Sequence, residues 1–529
     1  MNKRMISLFA IICMGILSLF IMILYIGNGI ATEAVNESHY STVAIGTSRG
    51  KIYDRNLDLL VETTDRLVAA VTPSTAAIEM LSKSFGQETA NEIVTTGKPF
   101  VTAVDEEIDN ELIKTFPVSP RYDSSQLAVH LIGYLDSSGK NGLAGVEKAY
   151  NNILSENSGS LSVRFEVDAM GRVLPGLDKI IVDNNYRSNA GIALTIDSKI
   201  QSITEKALNE SEIESGCALV MHVDTGEILA MDSVPRYDPN NISDSLNGKN
   251  SPFINKNLQS YSAGSVFKSI VAATALECGI SSKTTFECKG SLEIGDTVFR
   301  CYDEKEHGKQ TMSQALENSC NTYFIELIEK IDSDLLLSVC KTLGLGSELE
   351  LCSGIACAAG SLPDERDLLL RGERANFSFG QGKLLLTPIQ LLAAYNAIAT
   401  GFYVEPTVFF GYVNHDKLVT KQIARQRFEV FSQSTVQKMR KLLSNVVEKG
   451  KAYSAKSSLI SLAGKTGTAQ SGIFDEQGVE LCRTWFAGFF PANNPHYVVV
   501  VMDENGVSGN ADCAPVFKAI CENIVGVVE

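Results

Sequence analysis

The sequence contains no CxxC pair and no HExxH helix, and its histidines number only six, so ligand spacing gives a zinc site no support. Grouped cations are missing too. Forty-six basic residues face 62 acidic ones, the net charge is -16 and the isoelectric point is near 5.0, which argues against a nucleic-acid partner, because phosphate backbones are held by clustered Lys and Arg. Twelve cysteines in 529 residues are too sparse for a disulfide framework. No internal repeat is visible, and long apolar runs are absent from all but one place.

That place is the N-terminus. From Met5 to Ile26 no charged residue occurs, and ISLFAIICMGILSLFIMILYI matches the ~20 apolar residues needed to cross a ~30 Å hydrocarbon core. Lys3 and Arg4 precede the run while Glu33 and Glu37 follow it. The positive-inside bias therefore predicts a cytoplasmic tail at 1–4, one transmembrane helix at 5–27 in the plasma membrane, and an extracytoplasmic remainder. A cleaved signal peptide is the alternative, but its apolar region runs only ~7 to 15 residues. Eleven cysteines, all but Cys13, then lie beyond the membrane, and the odd number leaves at least one free or paired between chains. Cys288 and Cys301 flank ECKGSLEIGDTVFRC and either close a local loop in an oxidising compartment or remain two thiols.

At 529 residues, 44% hydrophobic and 20% charged, the chain is long enough for two or three domains. Residues 28–46 read as a polar linker without helical or strand period, 47–185 as a smaller N-terminal module, and 190–529 as the main domain. In the main domain ALTIDSKIQSITE reads as a strand entering a helix. CALVMHV and EILAMDSV, joined by Asp224-Thr225-Gly226, read as a hairpin, since Asp and Gly tolerate the positive φ such a turn needs. SLAGKTGTAQ, TWFAGFFP and HYVVVVMDE read as strands, APVFKAICENIV as a closing helix, and LLLTPIQLLAAYNAIA as part of a helical middle. Strands, a helical insert and further strands predict a mixed α/β (α+β) domain, an antiparallel sheet flanked by helices.

Three motifs follow one another: Ser265-Val266-Phe267-Lys268, Ser319-Cys320-Asn321 and Lys465-Thr466-Gly467. SxxK alone carries nothing, as it recurs at Ser48 to Lys51 and Ser137 to Lys140, and SxN recurs three times, whereas KTG occurs once. The joint order and the local structure around each motif carry the signal. Apolar residues on nearly all sides of the segment from Val266 to Leu276 predict a buried helix with Ser265 at its start. Residues three apart share a helix face, so the Lys268 amine should reach the Ser265 hydroxyl; burial and the helix dipole disfavour the ammonium there and leave a neutral amine able to act as a base. The plain alternative is a capping serine and a lysine that snorkels to solvent. Ser319 lies between two helical stretches, where a helix cap is again the plain reading. Strand alternation is expected to turn Lys465 and Gly467 towards a cleft and to leave room for a peptide along the strand edge.

With Phe379-Gly380-Gln381-Gly382, Thr387-Pro388-Ile389-Gln390, His307-Gly308 and Trp485-Phe486-Ala487-Gly488-Phe489, these motifs resemble the class B penicillin-binding proteins over about 195–525. Arg49-Gly50-Lys51-Ile52-Tyr53-Asp54-Arg55-Asn56, HLIGYLD, GKNGLAGVEKAYNNIL and FEVDAMGRVLPG resemble that family's N-terminal module more loosely. The resemblance implies a fold like that of serine β-lactamases and a D,D-transpeptidase that cross-links peptidoglycan stem peptides ending in D-Ala-D-Ala and is acylated by β-lactams. It implies catalytic Ser265, Lys268 and Ser319, and substrate-binding Asn321, Lys465, Thr466, Gly467 and Thr468. Ser265 is implied as nucleophile, Lys268 as base and Ser319 as proton relay. Asn321 would hold the substrate amide, Thr466 or Thr468 with Lys465 its carboxylate, and the N–H groups of Ser265 and Thr468 the oxyanion. No cofactor and no metal are implied, and a membrane glycosyltransferase is the implied partner. One departure is Ala263, where the family commonly has proline, which predicts slightly looser ordering of the turn and unchanged chemistry. A D,D-carboxypeptidase or β-lactamase would use the same chemistry with water as acceptor, and a non-catalytic scaffold or β-lactam receptor is the alternative of another class.

Overall fold

Val498 to Met502 form an unbroken apolar run buried at every position, which a strand tolerates only when both faces of its sheet are covered. In the computed structural model, which describes residues 3–27, 40–81, 93–174, 176–301, 305–421, 425–474, 478 and 480–528, this run lies in the middle of a five-stranded sheet. Its strands are β1 (Gly216–His222), β2 (Ile228–Val234), β3 (Ala463–Phe474), β4 (Glu480–Phe490) and β5 (Tyr497–Gly506), in the spatial order β2-β1-β5-β4-β3, every pair antiparallel. The expected hairpin is β1–β2, and Gly226 turns it at φ +70°.

The helices around the sheet and the cleft include α1 (Ser198–Asn209), α2 (Lys268–Glu277), α3 (Asn321–Ile328), α4 (Pro388–Thr400), α5 (Gln433–Glu448) and α6 (Cys513–Val528). α1 starts where Asp197 accepts from the N–H groups of Lys199 and Ile200. α4 starts at a capping box between Thr387 and Gln390 with Pro388 in the first turn, which accounts for the TPIQ sequence. α4 and α6 pack on β4 and β5, with the Phe486 and Phe517 rings 4.3 Å apart. The mixed α/β expectation, with an antiparallel sheet flanked by helices, describes this unit.

The chain divides into two compact units that interleave in sequence: 1–50, 62–121 and 157–188 in the smaller, 51–61, 122–156 and 189–529 in the larger. Strand pairing explains why short early segments belong to the larger unit. Lys51–Tyr53 runs parallel to Gly191–Leu194, and Ile52, Leu60, Val61, Tyr122 and Leu154 join the main core. The expected 47–185 module is thus crossed twice by chain belonging to the larger unit.

The smaller unit holds two three-stranded antiparallel sheets, one of Tyr40–Ser48, Gly159–Glu166 and Ile180–Asn184, the other of Phe100–Val104, Arg66–Val71 and Ile113–Val118. Ile45, Phe116, Leu161 and Phe165 are among its core residues. The linker expected at 28–46 is corrected in its last part: Tyr40–Ser48 is a strand whose Ile45 is buried, and two inward apolar residues, Val43 and Ile45, outweigh the polar composition around them. Residues 28–39 lie outside the described residues. Helix Lys3–Gly27 contains a stretch, Met5–Leu24, long and apolar enough to cross a membrane, with none of it buried against protein.

Candidate active site

The first motif begins as a tighter helix than its sequence suggests. Gly264–Phe267 form a 3₁₀ turn that passes into α2, and in such a turn residues three apart eclipse, which puts Ser265 and Lys268 on one side. Every residue from Lys268 to Leu276 is buried, as the all-round apolar pattern required. The Tyr395 hydroxyl of α4 fixes the back of this turn, donating to Val266 O at 3.0 Å and pairing with Ser269 Oγ at 2.9 Å. Ala263 takes φ -78°, within the range a proline would hold, so its presence in place of proline leaves the turn's geometry intact.

Lys268 does not bond to its own motif. Its Nζ donates to Ser319 O at 2.7 Å, Asn321 Oδ1 at 2.6 Å and Ser319 Oγ at 3.3 Å, and among the described residues no hydrogen bond joins it to Ser265. The lysine bridges the first motif to the second. Ser319 sits in the left-handed region at φ +53°, between helix Met312–Glu317 and α3, a conformation that costs a non-glycine residue about 1–2 kcal/mol. The turn aims its hydroxyl between two amines, because Lys465 Nζ also donates to Ser319 Oγ, at 3.0 Å, and to Thr466 O at 3.0 Å. Asn321 Nδ2 donates to Arg300 O at 2.8 Å, so that residue joins Lys268 to the segment ending at Arg300.

Both lysines are fully buried. Burial pulls Lys268 down to about 7, and burial together with repulsion from Lys268 pulls Lys465 well below the ordinary lysine value. Two ammonium groups on one hydroxyl repel at a separation of a few ångströms, so the arrangement favours at least one neutral amine.

The third motif lies in β3, but alternation works the other way from the expectation. Thr466, Thr468 and Gln470 line the cleft, with Ser265, Ser319 and Asn321. Gly467 faces the first motif: a Cβ there would stand 3.0 Å from Ala263 O and from Val266 Cγ1. The 3₁₀ turn packs on the face expected to be open, and Lys465 runs through the interior beneath it to reach Ser319. Thr468, which strict alternation had turned away, is therefore on the cleft. The cleft has a volume of about 870 Å³, and its wall includes residues the sequence reading did not single out, among them Asn376, Tyr453, Gln470 and Asn510. The glycines carried their signal in packing: a Cβ on Gly380 would lie 2.0 Å from Gly264 O, and one on Gly509 2.2 Å from Trp485 O.

Cys288 and Cys301 are near neighbours, with sulfurs 3.7 Å apart and unbonded, so the loop is not closed by a disulfide. They gather with His307 and Cys320, with all four ligand atoms within 4.8 Å of one another. The expectation of no metal-type grouping rested on ligands adjacent in sequence; here strand pairing and a hairpin bring distant ones together.

Comparison with known proteins matches residues 216–522 to the penicillin binding protein transpeptidase domain. Stage V sporulation protein D of Bacillus subtilis is 31% identical over 401 residues, 73% of this chain and 59% of that protein. The peptidoglycan D,D-transpeptidase FtsI of Escherichia coli is 28% identical over 415 residues, 76% of this chain and 66% of that protein. The chain thus matches 59% and 66% of the length of these two curated relatives. Among solved structures, the D,D-transpeptidase domain of a peptidoglycan glycosyltransferase from Eggerthella lenta superposes with a TM-score of 0.66 at 22% identity, covering 92% of this chain and 99% of that one. Penicillin-binding protein 3 of Mycobacterium tuberculosis, in complex with aztreonam, gives 0.65 at 23% identity, covering 92% and 97%. At those identities the likeness is one of fold.

Proposed function

We propose that the chain, which belongs to the penicillin binding protein transpeptidase family, is a class B penicillin-binding protein, a serine D,D-transpeptidase that cross-links peptidoglycan stem peptides. Ser265 attacks the carbonyl between two terminal D-alanines, and its proton passes to Lys268 as a neutral amine. The N–H groups of Ser265 and Thr468 hold the oxyanion, each such donor contributing roughly 2.7–4 kcal/mol to the transition state. Ser319 delivers a proton to the departing D-alanine, and an acyl-enzyme remains on Ser265 Oγ. The amine of a second stem peptide attacks the ester, gives up its proton through the same hydroxyl and releases Ser265. Asn321 holds the donor's amide, Gly467 leaves room for the turn behind the strand, and Lys465 with Thr466 and Thr468 receives the terminal carboxylate. That carboxylate raises the affinity of Lys465 for its proton, so substrate charges the anchor as it binds. β-Lactams, which present the same carboxylate and a strained amide, acylate Ser265.

The observation that carries this reading is Ser319 Oγ, held between Lys268 and Lys465 at 3.3 and 3.0 Å on the wall of a cleft that also exposes Ser265. The smaller unit is the non-catalytic module. The apolar N-terminal helix anchors the protein in the plasma membrane with residues 1–4 in the cytoplasm and the catalytic unit outside, where a membrane glycosyltransferase supplies the glycan strands. No cofactor enters the acyl transfer.

Incubation with a penicillin followed by peptide mass spectrometry tests the site. One adduct is expected, on the peptide bearing Ser265, and none in Ser265→Ala; an adduct elsewhere overturns the assignment. Incubation with stem-peptide donor and acceptor should give the joined peptide, and release of free D-alanine without any joined product would instead identify a carboxypeptidase.

A further inference from the structure

We propose that Cys288, Cys301, His307 and Cys320 form a tetrahedral Zn²⁺ site that fixes the second motif to the segment forming one wall of the cleft. The residues converge for reasons that begin in the backbone. Strand Phe286–Cys288 pairs antiparallel with Gly308–Gln310, Cys288 opposite Gly308, which sets His307 beside Cys288. The hairpin of Ser291–Ile294 and Thr297–Arg300 then returns the chain, and Cys301 N donates to Gly290 O at 2.8 Å. Cys320 joins them as the residue before α3.

The distances fit an ion better than a disulfide. Zn–S bonds of ~2.3 Å and a Zn–N bond of ~2.0–2.1 Å in a tetrahedron set S···S edges near ~3.8 Å and S···N edges near ~3.5 Å. Cys288 Sγ stands 3.7 Å from Cys301 Sγ, Cys301 Sγ 3.7 Å from Cys320 Sγ, and Cys288 Sγ 3.3 Å from His307 Nδ1. A disulfide would need one sulfur pair at ~2.05 Å, whereas Cys301 is equidistant from both partners. The three thiols are buried and the imidazole half-buried, and the donor set of three cysteines and one histidine is that of closed structural zinc sites. Outer contacts are in place as well: Gly290 N donates to Cys288 Sγ at 3.4 Å, and Thr322 Oγ1 lies 3.3 Å from Cys320 Sγ.

The site touches no reacting atom; its ligands are positioning residues. Cys320 lies between Ser319 and Asn321, and Asn321 is tied to Arg300, next to Cys301. An ion bound to both cysteines holds the left-handed turn that presents Ser319 and the hydrogen bond that presents Asn321. Loading replaces three S–H bonds by three Zn–S bonds and releases three protons, with the imidazole entering neutral.

The full chain, purified in detergent with thiols reduced and without chelator, should carry one zinc per chain by mass spectrometry of the metal. Replacement by Co²⁺ should give tetrahedral d–d bands and thiolate charge transfer of three-sulfur intensity. His307→Ala should lose stoichiometric metal, while His307→Cys should keep it with four-sulfur intensity, which separates a ligand from a residue needed only for folding. Ser265→Ala should retain zinc, so the metal readout stands or fails apart from the acyl-transfer reading. Stripping the ion should slow penicillin acylation, and added Zn²⁺ should restore it. A reduced wild-type chain that takes up neither Zn²⁺ nor Co²⁺, or peptide maps showing a Cys288–Cys301 or Cys301–Cys320 disulfide in the native protein, would overturn the site. Full acylation rates in the stripped protein would overturn its positioning role.

Discussion

In the proposed acyl transfer, Lys268 is the residue on which the reaction turns. Its amine is buried, which brings its pKa down to about 7, and it can accept the Ser265 proton only when neutral. The neutral fraction rises as pH rises through that value. The acylation rate with a penicillin should therefore increase from acid pH, reach half its plateau near pH 7 and level off above it. Lys268→Arg, charged at every accessible pH, should flatten the profile and lower the rate by about 10²–10⁴-fold, the usual contribution of a general base. A rate that falls with pH across that range would show that the ammonium is the active form. The buried helix that Ser265 and Lys268 begin was legible from its all-apolar surroundings. The hydrogen bonds that Lys268 makes to Ser319 and Asn321 were not, because they join residues 51 and 53 positions apart.

At the scale of elements, the cleft depends on how closely the 3₁₀ turn approaches β3 and the Phe379–Gly382 loop. Gly264 takes φ +60°, and its N–H donates to Gly380 O at 2.8 Å. Gly380 takes φ +81°, and a Cβ there would meet Gly264 O at 2.0 Å, whereas Gly279, also at φ +81°, has open space around it. Alanine at either position costs about 1–2 kcal/mol for the left-handed backbone alone. Gly279→Ala should show only that loss in its thermal midpoint, with acylation unchanged. Gly380→Ala should also displace the turn bearing Ser265 and slow acylation well beyond what its loss of stability explains; equal acylation rates for the two variants would argue against this control of Ser265. The strands and helices around these glycines were readable from hydrophobic period. The open face of β3 was not. Period 2 distinguishes two faces but does not say which is covered, and here the turn before α2 covers the side of Gly467 and leaves Thr466 and Thr468 to the cleft.

Over the whole molecule, the order of the chain and the order of the units differ. Composition gave no sign that 51–61 and 122–156 leave the segments around them to join the larger unit, because parallel pairing of Lys51–Tyr53 with Gly191–Leu194 spans a separation that has no local signature. The consequence is physical. Ile52, Leu60, Val61, Tyr122, Leu131, Ile132, Val146, Tyr150 and Leu154 all belong to the main core. At roughly 1.5–3 kcal/mol for each fully buried large apolar side chain, their removal matches or exceeds the ~5–15 kcal/mol by which a domain is stable. A fragment of residues 190–529, which keeps all three motifs, should therefore aggregate or unfold without cooperativity and fail to bind a fluorescent penicillin. A fragment of 40–529, which lacks only the N-terminal apolar helix and the segment after it, should be soluble, melt in a cooperative transition and label on Ser265. Scanning calorimetry with penicillin labelling of the two fragments compares them directly. Equal melting and labelling would mean that the early segments only decorate the larger unit, whereas failure of the shorter fragment alone would show that the fold of this unit is completed by chain lying more than a hundred residues before Ser265.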